Sequence, residues 1–501
     1  MARRWHSTAW LAVHFALAGW LSTSGARAQS EEDALRMATS RPGGTARSNG
    51  MGNAFGALGA DPVAAGINPA GMALYRASSL SLTLGVDVIG DAATYYGRGS
   101  SATASRLSLP NLALVVHNPG KADGAMVASV YGIVYDRIEL QRFSTDALAD
   151  RAPTTMLAHF VNQADGIPYT TLPDDLPFGA GLAWNAFGID TLPGSTDAYF
   201  SYIPMGSDTR QRHTVEANGA TNRTGIFYAA NIDDRIYIGA TANIMGHRFR
   251  RTTTHTEYSL DQGLDLGQME FREELVTSGG GFELLVGVIG RFSDRVRAGV
   301  AFQSPQWMQL NDAFNTSVRT GFRSTQGLDD YDLTYESPDG SFSYRINTPW
   351  RATASAAYIA GANGLVSIDY SYGDTRSLRF GRSATLDDPY DFALENAAIK
   401  DRFRAQHSVR IGTEWRAGSW YYRGGWGFVQ DPYVTTDAQR GTARRTYAAG
   451  LGYRGAHVTV DLAANYTVQD LRKFAYDPAL VEPILVRRGV VSTLLTIGLR
   501  P

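Results

Sequence analysis

Residues Ser79 to Val88 read SLSLTLGVDV. Leu80, Leu82, Leu84, Val86 and Val88 alternate with Ser79, Ser81, Thr83, Gly85 and Asp87, so one face is apolar throughout and the other polar or small. A strict period of two is that of a β-strand, here one whose two faces meet different solvents. The pattern recurs along the chain. Ile236, Ile238, Ala240, Ala242 and Ile244 oppose Tyr237, Gly239, Thr241 and Asn243, and Val458, Val460, Leu462, Ala464 and Tyr466 oppose Thr459, Asp461, Ala463 and Asn465. Strands are expected at about 79–90, 104–117, 125–138, 223–231, 235–252, 281–291, 294–304, 341–347, 350–360, 364–373, 405–416, 418–429, 445–454, 456–468 and 489–500.

The count hovers around fourteen. Strands of roughly 9 to 11 residues with one apolar face suit a bilayer, and lipid cannot satisfy an open sheet edge, so the sheet must close on itself. The expected fold class is therefore all-β, a transmembrane antiparallel β-barrel of about fourteen strands. Tight links at Asn231 to Asp234, Ser293-Asp294, Ala362-Asn363-Gly364, Ala417-Gly418 and Gly455 are expected on the periplasmic side, with long connections at 139–222, 305–340, 374–404, 430–444 and 469–488 outside. Within the first of these, Thr154 to Gln163 and Phe178 to Ile189 carry apolar residues at roughly helical spacing, so helical pieces should cover the barrel mouth. Phe160, Phe178, Leu182, Trp184 and Phe187 would either line a greasy capture groove or pack on one another; the spacing allows both.

Arg3 and Arg4, the mostly apolar run Trp10 to Trp20, and Ala26-Arg27-Ala28 have the form of a cleaved secretory leader, so residues 1–28 are expected to be removed. Of 46 basic side chains the leader holds Arg3, Arg4 and Arg27, which leaves 43 against 48 acidic ones and a formal charge near −5. Nucleic acid is an unfavourable partner for such a chain. With no cysteine, an exported protein of this length must be held by one large cooperative architecture rather than by disulfides. The tyrosines and tryptophans, Trp350, Tyr370, Trp415, Trp420 and Tyr422 among them, suit the two membrane interfaces.

Chemistry-bearing patterns are weak. Gly50, Gly52 and Gly56 are spaced as G-x-G-x-x-x-G with no buried parallel strand before them, which points to close packing rather than a dinucleotide loop. His117, His159, His213, His247, His255, His407 and His457 include no metal-ligand pair by spacing, so no cofactor, no metal and no catalytic set is expected.

The Gly- and Ala-rich segment GTARSNGMGNAFGALGADPVAAGINPAGMALYR, Gly44 to Arg76, with its tripeptide Asn68-Pro69-Ala70, resembles the N-terminal segment of the FadL/TodX family of outer-membrane transporters for hydrophobic compounds. TPWRATASAAYIAGANGLVSIDYSYGD from Thr348 and SVRIGTEWRAGSWYYRGGWGFVQDPY from Ser408 are similar to strand-turn-strand units of the same family, especially its branch once called haemin receptors. The resemblance implies an N-terminal hatch at 29–78 inside a barrel at 79–501, with Met51, Phe55, Leu58 and Ile67 as hatch contacts for ligand and Asn68, Pro69 and Ala70 fixing its backbone. It also implies passive transport of a hydrophobic small molecule such as a long-chain fatty acid, with outer-membrane lipid around a monomer; Gly132 falls where the family kinks its wall to open a lateral exit, and a glycine there equally suits relief of strand curvature. A barrel that shuttles or anchors secreted proteins is the alternative that family carries.

Overall fold

The computed structural model describes residues 31–38, 43–121, 124–323, 330–383 and 390–500, without the side chains of residues 139 and 140. The expected leader at 1–28 lies outside the described residues. Fourteen walls form among the described residues: β1 (Ser79–Tyr95), β2 (Arg98–Pro119), β3 (Met126–Leu140, resumed at Phe143–Ala152), β4 (Thr209–Ile232), β5 (Ile236–Ser259), β6 (Leu266–Arg291) and β7 (Val296–Gln303, resumed at Trp307–Phe322). The circuit continues through β8 (Gly340–Asn347 and Arg351–Ala360), β9 (Gly364–Asp374), β10 (Ala405–Ala417), β11 (Trp420–Val429), β12 (Arg444–Arg454), β13 (Val458–Lys473) and β14 (Ile484–Leu499). Each pairs antiparallel with the next, and β14 returns to β1 from Leu80↔Leu499 to Thr94↔Leu485. The sheet is closed, as lipid requires.

The apolar positions named from the sequence point outward: Leu80, Leu82, Leu84, Ile236, Ile238, Val460 and Leu462 are exposed, whereas Ser81, Thr83, Tyr237, Thr241 and Asp461 are buried in the lumen. Their exposure is to hydrocarbon, which accounts for so much bare leucine and valine. Stacked pairs Phe282–Trp307 and Phe302–Trp350, with ring centroids 4.9 and 5.9 Å apart, sit where β7 and β8 are interrupted, and exposed Trp415, Trp420 and Tyr453 ring the opposite, short-turn end. Both belts are where amphipathic rings settle at an interface.

Two expectations change. Residues 341–347 and 350–360 are one wall rather than two: Pro349 interrupts β8 beside Pro305, which interrupts β7, because proline has no N–H for the ladder. The register survives through Gln306 N–H donating to Thr348 Oγ1 at 2.9 Å and Thr348 N–H to Gln306 O at 3.1 Å. Second, several walls run far past the bilayer. The connection expected at 139–222 spans only 153–208, since β3 and β4 continue outward, and that at 305–340 shrinks to 323–330, since β7 continues outward and Tyr331–Glu336 pairs with it. These extensions (Thr252, Thr253, Thr254 in β5; Glu270, Arg272, Glu274 in β6) have water near both faces, so no apolar alternation marks them.

Helices Met156–Ala164, Leu172–Asp175 and Ala180–Asn185 cap the mouth. Thr155 and Glu257 start the first of them: Thr155 Oγ1 accepts from Leu157 N–H at 3.1 Å, and Glu257 Oε1 accepts from Met156 N–H at 2.7 Å. Inside the barrel, residues 46–75 form one short helix, Ala46–Gly50, and two 3₁₀ turns, Pro62–Gly66 and Pro69–Leu74, each of the turns opened by a side-chain cap and a proline.

Candidate functional site

The lumen is organised in levels. At the bottom, the hatch is seated on wall positions that lack side chains. Gly239 and Gly287 are cross-strand partners on β5 and β6, and a Cβ on either would collide with the hatch, at 2.4 Å from Pro69 C and 1.9 Å from Asn68 Oδ1. Gly412 and Gly425, partners on β10 and β11, accept the Met51-Gly52 backbone in the same way, with Cβ clashes at 2.4 and 2.2 Å. Gly52 itself has φ +62°, which favours glycine. The three glycines Gly50, Gly52 and Gly56 are thus spent on close approach, to Gly450, Trp426 and Ser355 respectively.

Asn68 holds this seat together. Its Oδ1 accepts from Ala70 N–H at 3.2 Å, capping the last 3₁₀ turn, while its Nδ2 donates to Gly56 O at 2.7 Å and to Val288 O of the wall at 3.3 Å. Asp369 of β9 accepts the N–H groups of Phe55 at 2.9 Å and Gly56 at 3.0 Å. Arg47 is clamped to Glu414 of β10 by two bonds of 3.0 Å; Arg423 joins Glu414 to Asp461, which also accepts from Arg454. Burial works against the Arg47 charge, but Glu414 and Asp61 outweigh it and strengthen its hold on the proton. Asp61, buried beside it and bonded to Thr45 at 2.8 Å, is pushed above the ordinary carboxyl range by desolvation.

Met51, Phe55, Leu58 and Ile67 are all buried, and they pack together with Ala57 and Val63 of the hatch and against Ala357 of β8. The cavity on the hatch's upper face is lined instead by Asn49, Gly52 and Asn53 from that segment. Its apolar residues therefore hold the plug together and do not line this cavity.

Above lies a vestibule of about 420 Å³, walled by Ile89, Phe143, Val215, Val429, Leu471 and Val486 and rimmed by Arg142, Arg251, Arg472 and Arg488. Its volume falls within the range of small-molecule sites, roughly 300–1,000 Å³. Helix Glu31–Ala38 lies in it, tied down by Glu32 to Lys473 at 2.6 Å, Glu31 to Arg402 at 3.2 Å and Asp33 to Arg251 at 3.4 Å. Arg488 grips Asp91 with two bonds and lies 3.9 Å over the Phe143 ring. None of these vestibule residues was expected from the sequence, although arginines on the lumen side of otherwise apolar strands were a readable signal.

The outer-loop residues divide. Phe160 and Leu182 are buried in a cluster with Leu157, Leu172, Met269 and Val318, so they build the cap's core and form no open groove. Trp184 packs between Tyr169 and Tyr199, and Phe178 meets Phe314 at 5.0 Å. Phe187 alone of the five is exposed, at 52%. Its φ is +54°, a left-handed conformation for a bulky residue.

The closed barrel with an internal N-terminal hatch superposes on a FadL homologue of Pseudomonas aeruginosa with a TM-score of 0.56 at 14% identity, over 92% of this chain and 99% of that one. The chain has the FadL/TodX-like fold. The toluene transporter TodX of P. putida gives a TM-score of 0.51 at 13% identity, over 92% and 99% of the two chains. No family model and no curated protein matches the sequence. The FadL/TodX-like likeness is thus one of architecture.

A further feature of this FadL/TodX-like barrel concerns one wall. Gly132 stays in register, paired with Val115 on one side and Phe227 on the other, so β3 is unbroken there. The β2–β3 ladder ends at Asn111↔Asp136, above which β2 is held to the outer piece of β3 by side chains, Ser100 to Asp146 O and Arg98 to Asp150 at 3.2 Å. The weak seam lies above Gly132, next to Gln141 and Arg142 of the vestibule.

Proposed function

We propose that this barrel is a passive outer-membrane transporter for hydrophobic small molecules, with long-chain fatty acids as candidate cargo. The observation that carries the reading is the apolar-walled vestibule of about 420 Å³ above a hatch that fills the lumen. Burial of apolar surface, at roughly 25 cal/mol per Å², would supply affinity without demanding one ligand shape. Cargo enters past the exposed Phe187, rests against Phe143, Leu471 and Val486, and leaves when the hatch shifts or the seam above the β2–β3 ladder parts. The gradient of the cargo drives it.

The test is mass spectrometry of small molecules retained by the mature protein purified from outer membranes, beside Phe143→Ser and Leu471→Ser variants, together with uptake of a labelled hydrophobe by cells. A bound hydrophobe that is depleted in both variants, with uptake reduced, supports the reading. A protein that carries no apolar compound and gives no uptake above cells lacking it would sink the proposal.

A further inference from the structure

Above the outer aromatic belt, neighbouring walls turn from apolar to cationic on the face that looks away from the lumen. Exposed Ile226 of β4, Ile244 of β5 and Phe282 of β6 end the lipid-facing rows there, and Ile244 stands directly across from Phe282, which stacks on Trp307. Arg248 and Arg250 follow at the same alternate positions of β5. On β3, Arg137 continues the outward row of exposed Tyr131 and Ile133 and pairs with Asn222 of β4.

Arg248 is exposed and makes no hydrogen bond or ion pair with a described residue. Every position directly or diagonally across from it is uncharged: Asn218, Ala220 and Asn222 on β4, and Val276, Ser278 and Gly280 on β6. Other outward arginines are balanced. Arg250, one pair higher, has Glu216 and Glu274 on its diagonals, and exposed Arg487 of β14 stands opposite Asp470. Asn222 adds a donor: its Oδ1 is taken by Tyr135 O–H at 2.9 Å and by Arg137 Nε–H at 3.2 Å, which leaves its Nδ2 and the Arg137 Nη groups to donate elsewhere. Arg106 brings a further cation beside Arg137, donating to Asn218 Oδ1 at 3.1 Å. Cations and amide donors with no carboxylate beside Arg248 suit an oxyanion, and arginine forks match phosphate.

The place of this patch decides what covers it. It continues the lipid-facing rows without a break, and Arg248 lies four residues past Ile244, roughly 13 Å along a tilted strand, from which its guanidinium can snorkel back to headgroup depth. We propose that Arg137 and Arg248, with Asn222 between them, seat a phosphate of an outer-leaflet glycolipid whose acyl chains lie along Ile226, Ile244 and Phe282. The seat is on the outside of the barrel and stands apart from what the lumen carries. Contacts so exposed are screened, so binding weakens as salt is added.

The experiment is native mass spectrometry of the full mature protein in neutral detergent, titrated with diphosphoryl lipid A or with its dephosphorylated form. Wild type should bind the phosphorylated lipid about tenfold or more tightly, and Arg137→Gln and Arg248→Gln should each remove about fivefold of that preference, the scale of one arginine at an anionic lipid surface. Arg487→Gln, a matched exposed arginine on another wall, should keep it. Heat-modifiable migration on gels checks that each variant barrel is folded. Equal binding of the two lipids by wild type overturns the seat, and this arm needs no variant. A preference that survives in Arg137→Gln/Arg248→Gln, or that falls as far in Arg487→Gln as in Arg248→Gln, overturns it too, because the attraction is then general to the barrel's charge. Neither result bears on the transport reading, which is read from uptake.

Discussion

A Cβ built on Gly287 of the wall would lie 1.9 Å from Oδ1 of Asn68 in the hatch, so plug and barrel meet there backbone to side chain with nothing between. Gly287→Leu should force the hatch from its seat, with an overpacking cost of about 1–3 kcal/mol. The chain has no cysteine, so an Ala57→Cys reporter, fully buried in the native protein, gives one thiol to follow. Its labelling should quicken about tenfold in Gly287→Leu, a shift of about 1.4 kcal/mol, while the barrel keeps its heat-modifiable migration on gels. An unchanged rate would mean the seat does not hold the hatch.

The clamp at the other side is electrostatic. Glu414 holds both Arg47 and Arg423, with side chains of Glu414 and Arg423 nearly sealed from solvent. Removing Glu414 takes from Arg47 its paired carboxylate and leaves Arg423 with Asp461, whereas removing Arg47 leaves Glu414 still paired with Arg423, so Glu414→Ala should be the more damaging. Breaking a buried pair costs about 3–5 kcal/mol, and Arg47→Met should fall below that range. Limited proteolysis of residues 43–75 measures this order, and Arg47→Met proving equal or worse would refute it.

The barrel was legible because hydrocarbon imposes a period of two on every lipid-facing strand, as at Leu80, Leu82 and Leu84. The outer extensions escaped because Thr252–Thr254 and Glu270–Glu274 meet water on both faces and carry no such mark. The hatch segment was visible through its glycines, yet its partners Gly239, Gly287, Gly412 and Gly425 are scattered over four strands and only closure unites them. His213 and His255, separated by 42 positions, face each other as a cross-strand pair with rings 5.6 Å apart, which spacing along the chain could not show. Arg351 and Arg410 likewise reach one chamber only because β8 and β10 both flank β9.

Phe160 and Phe187 separate packing from capture in the mouth. Phe160→Ala deletes a ring from the cap's core, 2% exposed, and should cost about 3–5 kcal/mol, read as protease sensitivity of residues 153–208. Phe187→Ser removes an exposed ring and should stay within about 0.5 kcal/mol of wild type in stability. Under the transport reading it nevertheless lowers uptake of a hydrophobe. Uptake unchanged in Phe187→Ser would remove this residue from the entry route.

The N-terminal helix should respond to acid. Burial alone would raise the Glu32 carboxyl, but the Lys473 ammonium at 2.6 Å, with Gln439 and Arg402, holds it below its ordinary value of 4.5. A carboxyl depressed in the docked state favours docking above about 4.5, and that contribution fades as the pH falls toward the depressed value. Helix Glu31–Ala38 should therefore stay in the vestibule at pH 7 and begin to leave below about 4.5. Lys473→Met removes the main charge that depresses Glu32, so in that variant the helix should dock less firmly at pH 7 and lose less of its docking on acidification. A thiol at buried Ala34, probed with an acid-tolerant disulfide reagent, reports the release. If its reactivity is flat from neutral to acid pH, or rises as steeply with acid in Lys473→Met as in wild type, the Glu32–Lys473 contact does not govern docking and the helix is held by Asp33 and Arg251 instead.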